Sequence, residues 1–277
     1  MAKRQRRAGG AGGAIAAGIA VCLWAAGCSG PGAVTEDSRA ADAVPLLHRA
    51  ADTLVAAGTS RATTSMEMAA GGTRVTIRGH GVYDFRGRLG RLTVRLPQDP
   101  TGADEHRPIT ELLAPGALFM KNRGAGVPAD KWVRVETATL SDGNLVTGGA
   151  TDPFAAAELL RGARTATYLG RTELAGTEVR HYRGTADLAL AARGAARDAR
   201  ESLAAAAKGF ASADVPFDVY FDDQGRIRKI RHRFSFAGSR HDKPVAVAST
   251  TLLYDFGAPA AVRLPASKDI YAGKIQE

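Results

Sequence analysis

The chemistry open to this 277-residue chain begins with its two cysteines, Cys22 and Cys28. Two thiols that close together near the N-terminus can neither staple a fold of this length nor complete a four-cysteine zinc site. Their setting points elsewhere. Lys3, Arg4, Arg6 and Arg7 form a basic stretch, and residues 14–24 are all small or apolar. That is the layout of an export signal, too short and too rich in Ala and Gly for a permanent span, which needs roughly 20 mainly apolar residues. The run ends in Leu23, Trp24, Ala25, Ala26 and Gly27 before Cys28. Small residues directly ahead of a cysteine resemble the bacterial lipobox, whose thiol receives a diacylglyceryl group before cleavage on its N-terminal side. Ala25 stands where leucine is common, and Leu23 lies two residues earlier. The expectation is a signal peptide over 1–27 and a lipidated Cys28, whose two or more fatty chains anchor stably where one is marginal. The plainer alternative is an ordinary signal peptide or uncleaved anchor with Cys28 a bystander.

Other chemistry-bearing residues form no familiar constellation. His48, His80, His106, His181, His232 and His241 are scattered without the short spacings of imidazole metal sites. There is no G-x-S-x-G elbow, S-x-x-K pair, Walker loop or G-x-G-x-x-G following a strand. Asp222 and Asp223 are followed by Gln224 and Gly225, which reads as a hairpin turn. The expectations are therefore no catalytic residues, no metal, no cofactor and no enzymatic activity.

Charge adds a constraint. The chain holds 29 Arg and 8 Lys against 28 acidic residues, a formal charge of +9. Losing residues 1–27, which carry four basic residues and no acidic one, lowers this to +5. The skew to Arg, with many Ala and Gly, fits a GC-rich genome and is weak evidence for nucleic acid.

The elements that would position any site follow from periodicity. Residues 29–43 have no apolar period and read as a flexible tether from Cys28. Helical spacing marks residues 42–57, with Pro45 in the first turn and Gly58 as the stop. The period then drops to two. Val75 and Ile77 oppose Arg74, Thr76 and Arg78, while Leu92, Val94 and Leu96 oppose Arg91, Thr93 and Arg95. Residues 117–121 and 131–136 read as further strands. Asp152 and Pro153 start a short helix through 160. A hairpin over 165–174 and 177–183 follows, then a thin-striped, Ala-rich helix or helix pair over 186–210, broken near Gly194. Phe217, Val219 and Phe221 alternate, as do Ile230, His232, Phe234 and Phe236 against Lys229, Arg231 and Arg233. A last strand over 245–256 carries Leu252, Tyr254 and Phe256. This predicts an antiparallel sheet with one apolar and one basic face. The basic face is either a solvated exterior or an attraction toward anionic headgroups.

Three segments carry a family resemblance. Residues 176–188 (GTEVRHYRGTADL) look like the strand leading to the covering helices of the LppX and LprG actinobacterial lipoproteins. Residues 215–230 (VPFDVYFDDQGRIRKI) look like the hairpin after those helices, and 254–257 (YDFG) resemble the final strand. The resemblance implies an α+β fold of the LolA-like kind: a half-open antiparallel β-barrel, a curved sheet with helices covering an apolar concavity. It implies a single lipid-binding domain over 44–277, binding an acylated lipid or glycolipid outside the cytoplasmic membrane. The residues agree independently, because one continuous apolar face under a thin cover suits a ligand cavity. The candidate wall is Val75, Ile77, Leu92, Val94, Phe217, Val219, Phe221, Phe234 and Phe236. The expected partners are that lipid, the outer leaflet of the cytoplasmic membrane through the anchor, and an envelope transport partner, with no nucleic acid. The competing reading is a non-catalytic interaction or sensor lipoprotein of an envelope complex.

Overall fold

The computed structural model describes residues 43–70, 73–97, 107–236 and 245–273. Cys28, the residues before it and all of the tether expected over 29–43 except Ala43 lie outside them, and Ala43 is a buried first residue of a helix rather than tether.

The chain enters through two short helices, α1 (Ala43–His48) and α2 (Ala50–Ala57), where a single helix over 42–57 was expected. The break falls at Arg49. The break is slight, because Arg49 keeps helical dihedrals and Thr53 N–H donates to its carbonyl at 3.0 Å, while the His48 oxygen beside it accepts from Arg161 at 3.0 Å. Ala43, Leu47, Ala50, Ala51 and Leu54 face the core, and Gly58 closes α2 by donating to the Leu54 and Val55 carbonyls.

Eleven strands follow: β1 (Thr59–Ala70), β2 (Thr73–Asp84), β3 (Leu89–Arg95), β4 (Ile109–Ala114), β5 (Ala117–Lys121), β6 (Val133–Glu136), β7 (Ala163–Leu174), β8 (Thr177–Asp187), β9 (Asp214–Phe221), β10 (Ile227–Phe236) and β11 (Val245–Tyr254). They form one antiparallel sheet in the order β6-β5-β4-β3-β2-β1-β11-β10-β9-β8-β7. The last strand therefore pairs with the first, joining two meanders. The curved sheet stays unclosed, with β6 and β7 as its edges.

Two strands were not legible in the sequence. The inward side of β1 is Ser60, Ala62, Thr64 and Met66, too polar for an apolar period. In β4 both faces are covered. Glu111 and Leu113 point inward, whereas Leu112 joins Ala117 and Phe119 beneath Trp132, Val262 and Ile270 on the other side. The chain end holds that cover in place: Trp132 N–H donates to the Asp269 carbonyl and Tyr271 N–H to the Trp132 carbonyl, both at 2.8 Å. In β11 the core face is Val247, Ser249, Thr251 and Leu253, so Leu252 and Tyr254 lie on the outside. Two of the four inward positions carry hydroxyls, which masked the period.

Three more helices cover the concave side: α3 (Pro153–Leu159), α4 (Leu188–Gly194) and α5 (Arg197–Gly209). Asp152 caps α3 by accepting from Phe154 N–H at 2.7 Å, and Asp187 caps α4 by accepting from Leu190 N–H at 2.7 Å. Their apolar residues, among them Phe154, Leu159, Leu188, Ala191, Leu203 and Ala206, share one cluster with the concave face of the sheet. Among the described residues no helix is long and apolar enough to cross a membrane.

Candidate functional site

The sheet register brings all nine wall residues to the concave side. Val75 and Ile77 of β2 sit opposite Met68 and Met66 of β1, and Val94 lies across from Gly79, with Leu92 two residues before it. At the other end Phe217 and Val219 of β9 sit opposite His232 and Ile230 of β10, while Phe234 and Phe236 pair with Val247 and Val245 of β11. The wall thus has two apolar flanks. Seven of the nine are no more than 8% exposed, and Val75 and Phe236 are half-buried at its margin. Each fully buried side chain is worth roughly 1.5–3 kcal/mol.

The flanks are separated by a centre that the sequence did not reveal. Thr64 of β1 pairs with Thr251 of β11, and Ser249 lies between Met66 and His232. Ser249 and Thr151 share a hydrogen bond between hydroxyls. The hydroxyls of Ser60, Thr64 and Thr251 and the Nε2 of His232 have no hydrogen-bond partner among the described residues. Burial pushes the His232 imidazole down to about 3, so it is neutral. Glu111, next to Leu92 and Met120 in the same layer, is fully buried and neither of its oxygens has a partner. Burial pushes its carboxyl up to about 8, against a weaker opposing pull from Arg123. A greasy wall with a few hydrogen-bonding groups at its middle is the composition of a site that takes an apolar ligand bearing a polar group.

The cover is latched to the rim by specific contacts. Arg88 pairs with Asp198 of α5, and the hydroxyls of Thr137 and Ser202 are hydrogen-bonded. Phe210, just past α5, stacks on Phe234 with ring centroids 4.9 Å apart and meets Phe236 at 4.6 Å. Two wall residues are therefore capped directly by the end of the lid. Backbone approaches are equally close. A Cβ at Gly143 would overlap the Ser202 carbonyl oxygen, and one at Gly209 would overlap that of Ser141. Beside the latch is a cavity of about 50 Å³ lined by Leu113, Thr137, Phe154 and Leu203, room for a few waters. Tyr83 donates to Asp152 at 3.3 Å at its edge. Burial raises the Asp152 carboxyl to about 6, moderated by the N–H donors it caps.

The basic outer face divides in two. On β8–β10, Asp218 accepts from His181 at 2.8 Å, Arg183 at 2.9 Å and Arg233 at 3.0 Å. Burial acts to raise that carboxyl, and the three donors outweigh it, holding it below the usual range. Arg231 reaches Glu67 at 3.4 Å, and Lys229 lies over the Tyr220 ring. His181, the imidazole with a carboxylate beside it, is stacked on Tyr220 and has no hydroxyl in hydrogen-bond reach among the described residues. On β2–β3, by contrast, Arg74, Arg78, Arg91 and Arg95 are exposed and have no partner among the described residues. Nor do any three described His, Cys, Asp or Glu side chains cluster as metal ligands would.

No family model matches the chain, and no curated protein is significantly similar to it in sequence. Solved structures do align with it. LprF from Mycobacterium bovis is 12% identical, with a TM-score of 0.40, over 82% of this chain and 98% of that one. The lipoprotein LppX from Mycobacterium tuberculosis is 9% identical, TM-score 0.43, over 79% and 97%. A LolA superfamily protein from Nitrosomonas europaea is 11% identical, TM-score 0.34, over 76% and 93%. LppX is one of the two lipoproteins that residues 176–188 and 215–230 resemble.

Proposed function

We propose that this protein is a lipoprotein, anchored through Cys28 on the outer side of the cytoplasmic membrane, that takes up acyl chains of a lipid or glycolipid against its concave wall and shuttles them without covalent chemistry. The observation that carries the reading is the wall itself: nine apolar residues from four strands on one concave side, under helices held at their rim by a salt bridge, a hydroxyl pair and a phenylalanine stack. In this structure the wall is covered. A ligand would enter by displacing α4 and α5, exchanging their Ala-rich contact for acyl chain at about 25 cal/mol per Å² of apolar surface withdrawn from water.

Purification of the chain from its own membranes, followed by organic extraction and mass spectrometry, tests this. The expected result is an acylated lipid in near-stoichiometric amount that is lost when Phe217 and Phe234 are both replaced by Asp. An empty protein that also fails to quench or bind a fluorescent acyl probe would overturn it. A second reading draws on the small size of the rim cavity, about 50 Å³: a non-catalytic interaction or sensor lipoprotein in which a protein segment displaces the lid. Its mark would be a co-purifying polypeptide in place of a lipid.

A further inference from the structure

Four arginines on the outer face of β2 and β3 are unexplained by the lipid-binding wall, which lies on the other side of the sheet. Arg78 and Arg95 sit directly opposite one another on neighbouring strands. Like charges in that arrangement destabilise a sheet. Arg91 lies across from Val82, and Arg74 begins the row at the other end. At about 3.3 Å per residue and 4.8 Å between strands the four span a strip about 26 Å long and two strands wide, too extended for one phosphate. Among the described residues the neighbouring carboxylates are already engaged. Glu67 on β1 pairs with Arg231, and Asp84 accepts the N–H groups of Arg86 and Gly87. The outer faces of β4 and β5 are closed off by the chain end, whereas β2 and β3 have no such cover among the described residues.

We infer that this strip docks on a bilayer surface bearing anionic headgroups, so that the domain rests on its convex β2–β3 face with the covered concavity turned away from the membrane plane. Charge complementarity carries the assignment, and the strip's length suits a surface more than a pocket. The outward neighbours on the strip are Thr76, His80, Val82 and Thr93. Without a Phe, Tyr or Trp among them, the run of aromatic rings that forms the stacking platform of a single-stranded nucleic-acid site is missing. Each basic residue near such a surface contributes about a fivefold gain in partition at moderate salt.

The test uses the full chain reconstituted into vesicles, with phenylglyoxal modification of each arginine read by mass spectrometry. On phosphatidylglycerol vesicles, Arg74, Arg78, Arg91 and Arg95 should be modified at least fivefold more slowly than on phosphatidylcholine, while Arg134 on β6 stays unchanged. High salt should abolish the difference, since screening shortens to about 3 Å at 1 M. In the Arg78→Gln/Arg95→Gln variant, Arg74 and Arg91 should lose most of that protection, their rates on the two vesicle types converging. Equal modification on the two vesicle types would overturn the inference. So would equal protection by inorganic phosphate on phosphatidylcholine, or protection of Arg134 to the same extent. Lipid recovery from the concavity is a separate readout, so either idea can fail alone.

Discussion

Two buried side chains at the middle of the wall set opposite demands on pH. Glu111 holds its proton to about pH 8 in the folded chain against an ordinary value of 4.5. Between those values the folded state binds the extra proton, so stability falls as pH rises and levels off above 8. A Glu111→Gln variant should match the wild type near pH 4 and become the more stable by roughly 3 kcal/mol at pH 7. Urea denaturation at pH 4, 6 and 8 measures it, and parallel profiles would show that the carboxyl reaches solvent or a cation. His232 runs the other way. Its folded value of about 3 lies below the ordinary 6.5, so its contribution is intact above 6.5 and is lost as pH falls toward 3. His232→Gln should therefore remove roughly 2 kcal/mol of the loss seen between pH 7 and pH 5. Neither residue's role could be read from the sequence. A lone Glu in Ile-Thr-Glu-Leu-Leu-Ala looks like an ordinary polar position until the register turns it inward, whereas alternation had already put His232 on the face of Ile230, Phe234 and Phe236 without showing that its Nε2 is buried and unpaired.

At the scale of elements, the strands with alternating side chains were legible and the others were not. Residues 73–79, 91–96 and 216–221 showed their inward faces because Val, Ile, Leu and Phe alternate with polar residues there. The caps at Asp152 and the break near Gly194 were equally plain, being set by local chemistry. By contrast β1, on the seam between the two meanders, carries hydroxyls at inward positions and β4 is buried on both sides, so neither was expected, while β11 across the seam was expected as a strand but through Leu252 and Tyr254, which lie on the outside. Both situations erase a period of two. The nine wall residues were recognisable as a set. What lies between them, Met66, Thr64, Ser249 and Thr251, depended on a first-to-last strand pairing that no local pattern encodes. The lid offers a sharper test of the elements. Gly209→Ala would force α5 off the Ser141 carbonyl, and a loss of 1–3 kcal/mol is expected for such overpacking. Hydrogen exchange should quicken across residues 197–209 while β9 and β10 keep their protection. If exchange quickened equally throughout, the lid would be part of the global unfolding unit and no gate. Asp187→Ala, which removes the cap of α4, should cost about 1 kcal/mol by thermal melting.

For the molecule as a whole the question is whether the lid must move. An open sheet with edges at β6 and β7 cannot enclose a ligand by itself, and every wall residue but the two at the margin is buried, Ile77 and Val94 against the Gly149 loop that leads into α3. Under the proposed function uptake and closure would be one event, lipid entering as α5 swings from the rim and Phe210 leaves Phe234. A covalent latch separates this from binding at some fixed outer surface. Thr137 and Ser202, whose hydroxyls are hydrogen-bonded across the rim, are close enough that Thr137→Cys/Ser202→Cys should oxidise to a disulfide without moving the backbone far. Under the proposed function Cys28 is acylated and Cys22 is removed with the signal peptide, which would leave no other thiol to compete. The oxidised protein should melt higher, since a cross-link over 65 residues constrains the unfolded chain by about 4 kcal/mol. Its uptake of a fluorescent acyl probe should slow at least tenfold and recover on reduction, while docking on phosphatidylglycerol vesicles through the convex arginines stays as it was. Equal uptake in the two redox states would mean that lipid reaches the protein by a route that leaves the lid shut, and the concave wall would then be core alone.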